Sequence, residues 1–318
     1  MSRGFRVPLA AAALVALLAA IAPGARADEF PSKPIVLVSQ ASAGSAQDLF
    51  CREIAKLAQK YLHQTMVVEN RTGGDGAVAM EYVLSQPADG YTLAAITRSF
   101  ATTLNSDLKD KFKPDQFAFV AALVADSYVL SVSTDSPYKT MRDLLNAAKT
   151  QPITVAGFGT DSAEGVFLRQ LAKESGTKLT WVPYTGGAAA IAPVLGGHIV
   201  AALNHPGDVK SFVDGGKLRV LAASNDSALK LFPSAVTFRS LGYKDLTVLH
   251  YRGIIAKGGT PGNVEKKLDD FFNAVSRDPD FVAYMKNVVV EPYFRGSKDF
   301  TKIVNGDVET LGHEMAAR

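Results

Sequence analysis

Three stretches of the chain place small residues at a helix start in a way that suits anion binding. They are Ala41 to Gln47, Gly157 to Ser162, and Tyr184-Thr185-Gly186-Gly187-Ala188. Each follows an apolar run expected to be a strand and precedes a segment with helical periodicity. The first turn of a helix leaves backbone N–H groups without intrahelical partners, and glycine, alanine and serine let a ligand approach them. The helix dipole adds partial positive charge there, so a carboxylate or phosphate is the expected guest. Within these stretches the candidate contacts are Ala43, Gly44, Ser45, Ala46, Phe158, Gly159, Thr160, Ser162, Tyr184 and Gly186. One such junction is an ordinary cap. Three in one chain point to an anion cleft at the strand ends.

Two arginines are candidates for a second anion contact. Arg252, beside Tyr251 in His250-Tyr251-Arg252-Gly253, falls where the chain is expected to cross between domains, and Arg98 follows a predicted strand end. A guanidinium there can clamp a carboxylate; the alternative for both is an ordinary salt bridge. Signatures of catalysis are missing: no dinucleotide fingerprint, no Walker loop and no nucleophile elbow occurs. The histidines, at 63, 198, 205, 250 and 313, show no H-x-x-x-H spacing, and His205 before Pro206 reads as a loop or cleft contact. Cys51 is the one cysteine, so no intrachain disulfide forms; it reads as a small buried filler. Neither a cofactor nor a metal is expected.

Positioning these residues takes alternating strands and helices. Apolar strands are expected at Pro34–Val38, Met66–Asn70, Tyr91–Ile96, Ile153–Ala156, Leu179–Val182, Ile199–Leu203 and Lys217–Ala223, with helices between them. Two further runs, Tyr128–Val132 and Thr247–Ile255, have the look of crossover strands that carry the chain into a second domain and back. A helix at Asn263–Val275 would then return to the first domain. The length of 318 residues suits roughly two domains at about 150 residues each. With 47% hydrophobic and 20% charged residues, collagen, coiled coil, disorder and a disulfide scaffold are excluded.

Residues 1–27 read as a secretory signal, with Arg3 and Arg6, an apolar run from Val7 to Ile21, and Ala25-Arg26-Ala27 before the expected cut. Cleavage after Ala27 lowers Lys+Arg from 34 to 31 against 31 Asp+Glu, so the mature chain is neutral and no nucleic-acid footprint is expected. Export from the cytoplasm follows.

Several motifs together resemble one family. They include Pro34-Ile35-Val36-Leu37-Val38, Asp48 with Arg52, Val68-Glu69-Asn70-Arg71-x-Gly73, and Pro87-Ala88-Asp89-Gly90-Tyr91-Thr92-Leu93. Further on come Val182-Pro183-Tyr184-x-Gly186, Leu195-Gly196-Gly197, Gly216-Lys217-Leu218-Arg219 and Gly259-Thr260-Pro261. The chain resembles the Bug family, the TctC-like periplasmic solute-binding receptors of tripartite tricarboxylate transporters. The resemblance implies an α/β, two-lobed type II periplasmic-binding-protein fold, each lobe a mixed sheet flanked by helices and joined by crossover strands. Lobe 1 is expected over 28–126 and 253–318, and lobe 2 over 127–252. It also implies a small carboxylate held between the lobes, with the first-strand loop and the loop after Gly157 as cradles, and Asp48 among the contacts. The expected partners are this ligand and the transporter's membrane subunits, with the protein a monomer. A sensor kinase remains an alternative partner, and an exported enzyme acting on a carboxylate an alternative activity. Departures from the family pattern are Ala43-Gly44-Ser45 for Pro-Gly-Gly, Asn204 for an aspartate, Glu164 for a histidine, and Arg252 for an aromatic. Fewer acids and an added arginine suggest an anionic ligand without an amino group.

Overall fold

The computed structural model describes residues 30–244, 246, 250–288 and 290–316. The expected signal over 1–27 lies outside the described residues, as do residues 247–249 of the second expected crossover strand. The chain opens with β1 (Ile35–Ser39), α1 (Ala46–Leu62), β2 (Met66–Asn70), α2 (Ala77–Ser85), β3 (Thr92–Thr97), α3 (Ser99–Asn105) and β4 (Phe117–Asp126). A second alternation follows: β5 (Val129–Ser133), α4 (Met141–Thr150), β6 (Ile153–Phe158), α5 (Ala163–Ser175), β7 (Leu179–Tyr184) and α6 (Gly187–Leu195). It continues through β8 (Ala201–Asn204), α7 (Pro206–Asp214), β9 (Leu218–Ala223) and β10 (Val236–Thr237). The chain closes with β11 (His250–Lys257), α8 (Gly262–Arg277), α9 (Pro279–Val288), β12 (Glu291–Gly296) and α10 (Ser297–Ala316).

These strands make two six-stranded mixed sheets, ordered β12-β4-β11-β3-β1-β2 and β10-β9-β5-β8-β6-β7. The fold is the expected α/β pair of mixed sheets with flanking helices. In the first sheet β1 runs parallel to β2 and β3, while β11 is antiparallel to β3 and β4. In the second, β6 is parallel to β7 and β8, and β5 is antiparallel to β8 and β9. Neither expected crossover run spans both sheets. β5 pairs only within the second and β11 only within the first, and the outward crossing is made by Ser127 and Tyr128 alone. Because β11 begins at His250, Tyr251 and Arg252 are held by the first sheet, although the return to lobe 1 was expected only at 253.

Helices cover both faces of each sheet, which is why inner strands such as β1, β3, β4 and β8 are nearly continuous apolar runs without alternation. On one face of the first sheet α1 buries Phe50, Ile54, Leu57 and Ala58 at helical spacing, beside Leu268, Phe271 and Phe272 of α8. On the other face, Met80, Val83, Phe100 and Phe300 pack on Val38, Ala94 and Ile255. Each large apolar side chain so buried contributes about 1.5–3 kcal/mol. Cys51 is fully buried in this core, and burial pushes its thiol well above the ordinary range. Gly253 is required: a Cβ there would stand 2.2 Å from the Phe300 ring and 3.0 Å from the Ala121 carbonyl. Among the described residues no helix is long and apolar enough to cross a membrane.

Candidate functional site

The C-terminal ends of β1, β3, β6 and β8 face one another across the junction of the two sheets. A cavity of about 30 Å³ lies between them, room for about two waters. From the first lobe it is lined by Gln40, Ser45, Ala46, Gln47 and Thr97 together with Arg252; from the second, by Phe158, Glu164, Gly187, His205 and Asp208. The lobes touch around it, so the contacts describe a closed arrangement.

The helix N-termini do bind carboxylates here, but the carboxylates belong to the chain. Asp208 Oδ1, from α7, accepts from the Ala46 amide at 2.7 Å, and its Oδ2 accepts from the His205 amide at 3.3 Å. Burial pushes the Asp208 carboxyl up from its ordinary value. Gly187 makes room for it, since a Cβ there would meet Asp208 Oδ2 at 2.2 Å. The second cradle is filled from the first lobe. Asp75 accepts from the Thr160 amide at 2.7 Å and from the Asp161 amide at 2.5 Å. Its backbone sits at φ 55°, in the left-handed region, within Gly73-Gly74-Asp75-Gly76. That conformation is rare for a residue with a Cβ, and the loop turns Asp75 toward the other lobe.

A buried polar chain runs along the hinge. Ser99 Oγ accepts from the Ala163 amide and donates to Glu164 Oε2, each at 3.0 Å. Glu164 Oε1 faces His205 Nε2 at 3.1 Å, while His205 Nδ1 lies 3.2 Å from the Ser127 carbonyl and 3.4 Å from Asp126 Oδ2. Both ring nitrogens thus face acceptors, and only the imidazolium has two N–H groups to give. Burial alone would pull the His205 pKa down, but the neighbouring Asp126 and Glu164 carboxylates lift it above its ordinary value. Asp126 also pairs with Arg252, which donates to Oδ2 through Nε at 3.0 Å and through Nη2. Arg252 Nη1 donates to Gln47 Oε1 at 2.8 Å.

The buried Glu164, His205 and His250 have ligand-type atoms within 4.8 Å of one another. Hydrogen bonding accounts for most of this cluster: His205 bridges acceptors, and His250 Nδ1 is 2.7 Å from the Tyr128 hydroxyl. An imidazolium offers no lone pair to a metal, and Arg252 nearby adds positive charge.

Of the residues singled out by sequence, Ser45, Ala46, Phe158, His205 and Arg252 meet at the cavity. Gly186 packs behind it, where a Cβ would stand 2.4 Å from Ser42 Oγ, and Asn204 donates to the Gly187 carbonyl. Gly159, Thr160 and Tyr184 line a separate groove of about 210 Å³ next to Gly73–Asp75. The others are elsewhere. Ala43 and Gly44 are exposed, and the Gly44 amide is taken by Asp48, which also receives Arg52 and Asn70 and so ties the loop. Ser162 is a helix cap, its hydroxyl accepting from the Gly165 amide. Arg98 pairs with Asp307 of α10, and Tyr251 meets Phe300 edge to face in the core. Acids are present at the cavity all the same: Glu164 and Asp208 line it beside Arg252 and His205, and Asp126 pairs with those two cations behind the wall. Gln47, Glu164 and Asp208 went unassigned to the site by sequence; the signal for Asp208 was its place three residues after His205, as the acidic partner of a capping box.

Comparison with known proteins bears on the family and the fold. Residues 50–317 match the family model described as the tripartite tricarboxylate transporter family receptor. A protein of Cupriavidus necator, described as the UPF0065 protein in the gbd 5' region, is 30% identical over 98% of this chain and 94% of its own length. The structure of the periplasmic binding protein BugD superposes with a TM-score of 0.84 at 24% identity, covering 89% of this chain and 97% of BugD. MatC from Rhodopseudomonas palustris, with bound malate, superposes with a TM-score of 0.83 at 20% identity, covering 90% of this chain and 99% of MatC.

Proposed function

Because the chain belongs to the tripartite tricarboxylate transporter receptor family, whose members bind solutes and are not enzymes, we propose that it captures a small carboxylate between its lobes in the periplasm and delivers it to a tripartite-type membrane transporter. One observation carries the ligand class. The Ala46 amide at the start of α1 already receives a carboxylate, that of Asp208, on the wall of a cavity that also holds Arg252. A ligand carboxylate takes the same kind of seat, and the malate seen in MatC supports the class. Glu164 and Asp208 on the opposite wall disfavour a second bare anionic group. They favour a carboxylate that also carries a hydroxyl or ammonium donor.

Ligand drives closure only by binding the closed form better than the open one. Asp75 is a latch that favours the closed form before any ligand arrives. Asp75→Ala is therefore expected to weaken carboxylate binding about fivefold, on the order of 1 kcal/mol for the lost contacts at a partly exposed site. Titration calorimetry of both proteins with the same acid checks this, and an unchanged affinity removes the latch role.

The class itself is tested by thermal unfolding of protein refolded from denaturant, to strip any carried ligand, against acetate, glycolate, succinate, malate, citrate and benzoate. A bound acid at 100 times its Kd adds about 2.7 kcal/mol and raises Tm. A panel without any rise, to 10 mM of each acid, contradicts a carboxylate site.

A further inference from the structure

Gln47 stands in the first turn of α1, 4% exposed, on the cavity wall. Its amide cannot turn freely. Arg252 is only a donor, so the carbonyl oxygen Oε1 must face Nη1, where it sits at 2.8 Å. The NH2 group is thereby directed away from Arg252, and Nε2 is buried without a hydrogen-bond partner in the protein. A buried donor left unpaired is destabilising, which makes an unpaired one at a cavity wall a mark of something that binds there. Arg252 is placed differently. Each of its three guanidinium nitrogens is engaged, two by Asp126 and one by Gln47.

We infer that Gln47 is the side chain that donates to the ligand's carboxylate, and that Arg252 is a positioning residue that acts through it, with Asp126 as its anchor. The inference rests on the carboxylate reading of the cavity and refines it. Charge from Arg252 reaches the ligand by polarising the Gln47 amide, which strengthens the N–H on its far side. A neutral donor is also suited to a cavity edged by Glu164 and Asp208, because it shares no salt bridge with them.

The test is titration calorimetry of the full mature protein with glycolate and with malate as probes. Gln47→Leu, which keeps the bulk and loses the amide, and Gln47→Glu, which keeps an acceptor for Arg252 and loses the donor, are each expected to lower affinity at least tenfold. Arg252→Lys in the wild-type background is expected to lose a similar factor, and in the Gln47→Leu background to lose no more than twofold further. That non-additivity is what a merely structural role, or a direct Arg252–ligand contact, does not produce. Wild-type affinity in either Gln47 variant overturns the inference, as does a full, additive Arg252→Lys loss in the Gln47→Leu background. If neither probe binds the wild-type protein at 10 mM, the panel acid with the largest thermal shift takes their place; if no panel acid raises Tm, the carboxylate reading falls first and the inference falls with it.

Discussion

Asp126→Ala is expected to destabilise the protein by about 3–5 kcal/mol, the range for stranding one partner of a buried ion pair. Asp126 and Arg252 are 2% exposed each and come from neighbouring strands of the first sheet, β4 and β11, at the point where the chain leaves for the second. Removing the carboxylate leaves a guanidinium in the interior, with Gln47 Oε1 as its remaining hydrogen-bond acceptor among the described residues. His205 loses a counter-charge at the same time. The double variant Asp126→Leu with Arg252→Met removes both charges and is expected to recover most of the loss, because well-packed apolar pairs replace buried ion pairs at little net cost. Urea unfolding of the wild type and Asp126→Ala measures the loss, and Asp126→Leu, Arg252→Met and their double variant measure the cycle. A loss below 1 kcal/mol for Asp126→Ala would show that water reaches this pair.

The second large effect concerns pH. His205 carries a folded-state pKa above its ordinary 6.5, with burial opposing the shift and the Asp126 and Glu164 carboxylates overcoming it. A raised value means the folded protein holds this proton more tightly than the unfolded chain. Its contribution is therefore complete below pH 6.5 and is lost as pH rises through the folded value. Stability is expected to decline from pH 6.5 upward on this account, and closure with it, because the Glu164–His205 bridge joins Ser99 of the first lobe to the second. Glu164→Ala leaves Ser99 Oγ and His205 Nε2 without their acceptor and is expected to cost about 1–3 kcal/mol at pH 6. It also flattens the pH slope, since His205 keeps only one of its two carboxylate neighbours. Unfolding midpoints from pH 6 to 9 for both proteins check this; parallel slopes would remove His205 as their source.

The alternation of strands and helices was legible where a strand is a short apolar run bounded by turn residues, as at β1, β3 and β6. β4 was not read: it is apolar from Phe117 to Ala125, and periodicity cannot separate such a run from a buried helix. The helix N-termini were legible as anion seats, since capping chemistry is local. Their occupants were not. Asp208 lies 162 residues from Ala46 and Asp75 lies 85 from Thr160, and no local pattern links them. Ser162 and Arg98 show the converse, where a serine at a helix start is a cap and an arginine at a strand end is a salt bridge. Arg252 was found for its charge, yet its direct partners are Asp126 and Gln47, which only the fold brings to it.

The most direct measurement uses the single tryptophan. Trp181 donates its indole N–H to the Gly159 carbonyl at 2.7 Å and lies where a Cβ on Gly157 would fall, so it reports the loop that carries Phe158 to the cavity. Titrating the panel acid that gives the largest thermal shift should change Trp181 emission with one saturable site per chain, at the same Kd as calorimetry. A thermal shift from that acid with no change in Trp181 emission would place binding outside the cleft between the lobes, and contradict a carboxylate held there.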